Sequence, residues 1–287
     1  MSGFSIDWLN LREAADHRAR DAALMMKALA WLAAHSAEAD GSDARKQQNA
    51  ATIVDLGAGT GSTLRAFSAI ANKSDGRRPE INWRLVDQDV ALLAEAARRH
   101  SQTHSLQAVE QDLSDIKNLP LAGSQLITAS ALFDLVSAAF IDELVTVLHT
   151  CAQQSPIALY SALNYDGTTK WSPDHPLDEL VLAAFNRDQQ TDKGFGKALG
   201  PRANTYIQEK FAEAGFQVIT ADSPWQLNGD DAELVCALGE GIANAVKNDA
   251  EIDADELQQW LAFRQANAGS GRCSVGHMDL LITSVSW

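Results

Sequence analysis

The chemistry legible in this chain begins at Val54-Asp55-Leu56-Gly57-Ala58-Gly59-Thr60-Gly61, where glycines alternate with small residues behind an acid. Glycine adopts left-handed backbone angles and allows close approaches that a Cβ would block. Three alternating glycines after a strand let the main chain pass tightly beneath a ligand. The helix that follows presents N–H groups in its first turn. A dinucleotide fingerprint places glycines first, third and sixth. Here the sixth position is Ser62, and the third glycine comes one residue early at Gly61. Asp55 suits a cationic amino group better than a pyrophosphate, because opposite charges attract strongly at short range. A second acid, Asp87, closes the run Arg84-Leu85-Val86-Asp87, and a third, Asp112, follows Glu110-Gln111. An acid at the end of the second strand also suits the ribose of NAD, so on the residues alone a dinucleotide stays open.

The run VDLGAGTG resembles motif I of the class I S-adenosylmethionine-dependent methyltransferases, and the resemblance covers roughly residues 50–165 in order, plus the final strand pair. It implies S-adenosyl-L-methionine as cofactor, with Asp55, Leu56, Gly57, Ala58, Gly59, Thr60 and Gly61 around its methionine part. It places Asp87, beside Gln88, on the ribose diol, and Asp112 with the Leu113 amide at the adenine. Ala129 and Ser130 fall where the chain runs beneath the cofactor. Taken alone, Asp112 also reads as a helix cap. The resemblance further implies seven strands, the last antiparallel and inserted between the fifth and sixth.

Methyl transfer from a sulfonium is an in-line displacement that requires alignment and often a base. No universal catalytic signature is expected, and the catalytic residue is not identified. The segment Ser130-Ala131-Leu132-Phe133-Asp134 matches neither an Asn-Pro-Pro-Tyr nor a Pro-Cys motif, which lowers the case for nucleobase methylation. Asp134 is a candidate base, although the favoured reading is an acid that stabilises the dipole at a helix N-terminus. Tyr165 and Asp192 are candidate contacts to the methyl acceptor. The loop from Phe185 to Gly196 reads either as a closing flap or as a solvated surface loop. Near the N-terminus Arg12 or Arg20 is a candidate partner for a carboxylate, with a plain solvated helix face the competing reading.

These residues need a scaffold of alternating strands and helices. Residues 5–35 read as helical, and 36–50 as a polar loop. Strands are expected at 52–56, 81–87, 106–110, 125–129, 156–163 and 216–220, with a final one near 277–285. Helices are expected at 62–71, after Asp87, over 132–151, near 177–185, at 203–214, and once or twice within 229–267. The fold class is α/β: a Rossmann-like sheet of mostly parallel strands with a final antiparallel strand and helices on both faces. Residues 1–49 are read as an N-terminal helical cover. Residues 50–287 are read as the methyltransferase domain, with a lid-like insertion at about 164–205 and a helical detour at about 229–267.

Bulk properties bound the partners. The chain has 287 residues, 46% of them hydrophobic, which supports a substantial core. Lys and Arg number 23 against 38 Asp and Glu, for a net charge of −15, so nucleic acid is a disfavoured partner. Three separated cysteines without a CxxC read as reduced thiols, and His17, His175 and His277 lack metal-like spacing, so no metal is expected. No apolar leader or membrane-length run appears, and a cytoplasmic location is expected. The expected function is methylation of a small-molecule acceptor. The rivals are a protein or RNA methyltransferase, and a non-catalytic cofactor-binding regulatory or partner subunit; an oligomer stays open.

Overall fold

The computed structural model describes residues 4–36, 50–72 and 80–284. Helix α1 (Ile6–Ala19) starts where Ser5 accepts a bond from the Trp8 amide, and α2 (Ala22–Ser36) follows. The sequence reads as one helical stretch here, but the chain breaks at Arg20, whose ψ of 135° leaves the helix. The Asp21 carboxylate then accepts the Leu24 amide at 2.6 Å, restarting the helix as a side-chain cap.

Strand β1 (Ala51–Leu56) leads through the glycine turn to α3 (Ser62–Ala71). Then come β2 (Ile81–Asp87), α4 (Val90–His100) and β3 (Ser105–Glu110). Strand β4 (Leu126–Ser130) is followed by a short 3-10 turn, Phe133–Leu135, and only then by α5 (Ala138–Ala152), capped by Ser137. The continuous helix expected over 132–151 therefore starts late.

Strand β5 spans Ala158–Ser172, far beyond its expected end at residue 163. Helices α6 (Asp178–Asp188) and α7 (Ala203–Glu213), strands β6 (Gln217–Asp222) and β7 (Trp225–Leu227), helices α8 (Ala232–Val246) and α9 (Ala254–Asn267), and strand β8 (Arg272–Thr283) complete the order. Residues 164–172, read as the start of an insertion, thus continue β5. The Asp166-Gly167 pair, a composition typical of turns, forms a register shift within the strand, with Gly167 at φ 93°. β7 was not foreseen; three residues are too few for a periodic signal.

The sheet order is β3-β2-β1-β4-β5-β8-β6, with β7 paired to the outer part of β8. The pairs β1–β2, β2–β3, β1–β4 and β4–β5 are parallel, while β8 runs antiparallel between β5 and β6. This is the insertion of a final antiparallel strand that the resemblance implied. Alternate residues feed opposite faces: Val54, Leu56, Ile127 and Leu159 join the core under α5 and α7, whereas Ile53, Leu85, Leu126 and Tyr160 join the core under α2, α3 and α4. A third core of Trp171, Trp225 and Trp260, with Tyr165 and Ala15, ties α1, α6, α8 and α9 to the extended ends of β5 and β8. No helix among the described residues is long and apolar enough to cross a membrane.

Candidate functional site

The carboxyl ends of β1, β2 and β4 converge on the glycine turn. Gly57, Gly59 and Gly61 have φ of 67°, 52° and 82°, the left-handed region that glycine reaches without strain. The Gly57 and Ala58 amides donate to the Val86 carbonyl at 2.9 and 3.1 Å, and the Gly61 amide donates to the Ala58 carbonyl. The Gly59 amide donates to Asp87 Oδ2 at 2.8 Å, while Asp87 Oδ1 accepts the Asp89 amide at 2.9 Å. These amides are tied to β2 and to the turn itself, so any ligand meets other groups. Asp89 in turn caps α4, accepting the Ala91 and Leu92 amides. Asp87 is half-buried and Gln88 beside it is exposed.

Asp112 is exposed and accepts the Ser114 amide at 2.9 Å in a local turn; it caps no helix, since the next one, Ile116–Asn118, begins after Asp115. Leu113 is buried, and its Cδ1 would lie 3.8 Å from a Cβ on Gly57; Leu132 would lie as near. The end of β3 and the chain after β4 therefore both border the turn. Ala129 is buried and Ser130 half-buried at the end of β4. Ala131 next to them has φ 49°, an angle uncommon outside glycine and a mark of local strain.

Asp55 is buried beneath the turn. Its Oδ1 accepts the Thr128 hydroxyl at 2.7 Å, and its Oδ2 has no partner. Burial pushes this carboxyl up to about 7, against the downward pull of the Thr128 hydroxyl and the Arg20 guanidinium. A buried acid with an unsatisfied oxygen below a glycine turn fits a ligand that brings a cationic donor.

Helix α1 closes the site from above, through contacts the sequence did not single out. Leu9 Cδ1 sits 3.3 Å from where a Cβ on Gly59 would stand. Glu13 pairs with Arg65 of α3, and Arg65 also donates to the Thr60 carbonyl at 2.6 Å. His17 Nε2 lies 3.0 Å from Ser62 Oγ, and Arg20 donates to Ser130 Oγ at 2.8 Å. Only an acid in α1 and a base in α3, unlinked by any spacing rule, would have hinted at the Glu13–Arg65 pair.

No protein-family model and no curated protein matches the sequence. Solved structures match its fold. A loganic acid methyltransferase solved with SAH is 10% identical over 99% of this chain and 98% of its own, with a TM-score of 0.57. The cyclopropane synthase MmaA2 from Mycobacterium tuberculosis is 13% identical over 98% of this chain and 94% of its own, with a TM-score of 0.50. The chain has the class I S-adenosylmethionine-dependent methyltransferase fold.

The residues read as candidates for the acceptor lie after β4 and along and after β5. Asp134 is not at the start of α5; it lies in the 3-10 turn, 7% exposed, with Oδ1 lacking a partner. Burial pushes its carboxyl up to about 6, more than its own backbone amide, Arg12 and the Tyr165 backbone pull it down. The helix-dipole reading therefore does not apply to it. Tyr165 is buried between Phe185 and His277, and its hydroxyl donates to Asn186 Oδ1 at 3.1 Å. Asp192 instead stays exposed and organises its own turn by accepting the Gly194 and Gly196 amides at 2.7 and 3.1 Å. No contact among the described residues joins Tyr165 to Asp192. Arg12 is fastened to Asp16 at 2.8 and 3.1 Å and covers the Trp225 ring. Among the described residues no cluster suits a metal ion.

Proposed function

We propose that this chain is an S-adenosylmethionine-dependent methyltransferase acting on a small-molecule acceptor. The observation that carries the reading is the left-handed glycine turn locked by the Gly59 amide to Asp87, directly above a buried Asp55 with an unsatisfied oxygen. The cofactor, when bound, supplies an electrophilic methyl group for in-line displacement.

The chain's own residues account for the rest. Asp87 keeps lone pairs beyond its two backbone donors, enough to accept a ribose diol through charge-assisted bonds. Asp112 presents its free oxygen to the adenine amino group, beside Leu113. Asp55 accepts the ammonium of the methionyl tail. Leu56, Ala58, Thr60, Gln88, Ala129 and Ser130 shape the walls. The close approach at Gly59, which a Cβ would fill against Leu9, gives the ligand its seat.

For the acceptor, support comes from the cover of α1 over the glycine turn, which suits an enclosed small molecule better than a macromolecule. Asp134, with its unpartnered oxygen, is the group best placed to take a proton from a hydroxyl or amine. Calorimetric titration with S-adenosylmethionine, S-adenosylhomocysteine and NAD tests the reading. Micromolar binding of the first two alone supports it; binding of NAD alone, or of none, overturns it.

A further inference from the structure

Arg20 is the anomaly of the buried surface. It is 5% exposed, sits where α1 breaks from α2, and its side chain donates from Nη2 to Ser130 Oγ at 2.8 Å with the Tyr160 hydroxyl beside it. Its Nε and Nη1 are buried and have no partner. A guanidinium carries five N–H donors, and leaving them unmade away from water is costly.

The nearby acids do not meet this need. Asp279 and Asp16 lie close enough to balance the positive charge. Both, however, are engaged elsewhere. Asp279 Oδ1 accepts the Leu163 amide at 2.9 Å, and its Oδ2 accepts the Asp21 amide at 3.1 Å and the Tyr160 hydroxyl at 2.9 Å. Asp16 accepts Arg12 through both oxygens and the Trp225 indole at 2.9 Å. Arg20 is thus held in place with its charge compensated and its donors free. Those donors stand beside Ser130 at the end of β4, and the guanidinium is close enough to Asp55 to pull on its carboxyl. Across this small volume a guanidinium lacks acceptors and a carboxylate lacks a donor. A zwitterionic amino-acid end answers both.

We infer that Arg20 binds the α-carboxylate of the cofactor's methionyl tail and, by doing so, fastens α1 over the site. The inference rests on the methyltransferase reading and adds to it a ligand-dependent clasp. Because Arg20 caps the end of α1 and Ser130 is the end of β4, a carboxylate bound there reinforces the link of the cover to the sheet. Without that carboxylate α1 keeps its contacts to α3, α4, α8 and β7 and the direct Arg20–Ser130 bond, and loses only the added bridge.

The test compares S-adenosylmethionine with decarboxylated S-adenosylmethionine on the full chain, by equilibrium binding and by hydrogen exchange of the α1 amides. Wild type is expected to prefer the carboxylated ligand roughly 10- to 100-fold, and only that ligand should slow exchange in α1. Arg20→Met should bind both ligands within about threefold of each other, a spread small beside the wild-type ratio. Arg20→Lys, which keeps the charge without the fork, should fall between. Equal wild-type affinities, or a ratio preserved in Arg20→Met, overturns the inference while leaving the cofactor assignment intact. Should Arg20→Met not fold, the wild-type ratio and Arg20→Lys decide. Failure of wild type to bind either ligand removes the methyltransferase reading and this inference together.

Discussion

The amide of Gly59 donates to the carboxylate of Asp87 across 2.8 Å, joining the turn after β1 to the end of β2. The acid proposed to hold the ribose is therefore also a brace for the backbone beneath it. Asp87→Ala is expected to weaken S-adenosylmethionine binding by about 1–3 kcal/mol. It also frees the Gly59 and Asp89 amides, so the melting temperature should fall. Titration calorimetry and thermal melts check the two effects, and an unchanged affinity removes Asp87 from the site.

Gly59 combines a φ of 52° with Leu9 packed 3.3 Å from the missing Cβ. Gly59→Ala should cost about 1–2 kcal/mol in backbone strain and push α1 outward. Limited proteolysis is expected to cut in α1 sooner in this variant. Adding Leu9→Ala should slow that cleavage again without restoring stability, because the strained angle remains. If α1 is equally resistant in Gly59→Ala and wild type, the helix does not rest on the turn.

Asp55 gives a pH signature. Raised to about 7 by burial, its carboxyl holds a proton in the folded chain at pH values where the unfolded chain has lost it. Its contribution to stability therefore falls as pH rises from about 4 to 7, by at most roughly 1.4 kcal/mol per pH unit. His277, lowered to about 4 by burial, slopes the other way as pH rises between its folded and unfolded values, so the comparison with Asp55→Asn isolates the acid. If Asp55 meets an ammonium, binding S-adenosylmethionine near pH 6.5 should release a proton. Calorimetry in buffers of different ionisation heat would detect that release in wild type and its loss in Asp55→Asn; no release in wild type counts against the contact.

The far end of the β5–β8 pair offers a control on stability alone. A Cβ on Gly271 would come within 2.5 Å of the Ser172 carbonyl and 2.8 Å of the Asn267 carbonyl, both backbone atoms that cannot swing aside. Gly271→Ala should destabilise by about 1–3 kcal/mol, read as a lower urea midpoint. Cofactor affinity in the remaining folded protein is expected to match wild type.

Much of this was legible in the residues. The glycine spacing, the acids at 87 and 112, and the alternation of apolar runs led to the β1–β4 half of the sheet with boundaries within a residue or so, because buried parallel strands and amphipathic helices write periodic patterns. The second half was harder. Asp166-Gly167 carries the composition of a turn, yet β8 pairs across it, and Gly276 leaves room for the Asp166 and Thr168 side chains to press in. Arg20 was legible only as one of two candidate partners for a carboxylate, beside Arg12 and against a solvated helix face, because its burial depends on β4, β5 and β8 arriving from distant parts of the chain. Asp134 was obscured for a related reason: the apolar run around it looks helical, while Ser137 sets the true helix start.

Strand β8 lies between β5 and β6, and until it arrives those two strands have no bond to each other. It also brings Asp279, which accepts the Asp21 amide at the start of α2 and the Leu163 amide at a register shift in β5. During translation residues 272–283 leave the ribosome after every other strand of the sheet. A nascent chain halted before them holds an open cleft with two unpaired strand edges, the kind of surface that recruits chaperones or sticks to its own copies.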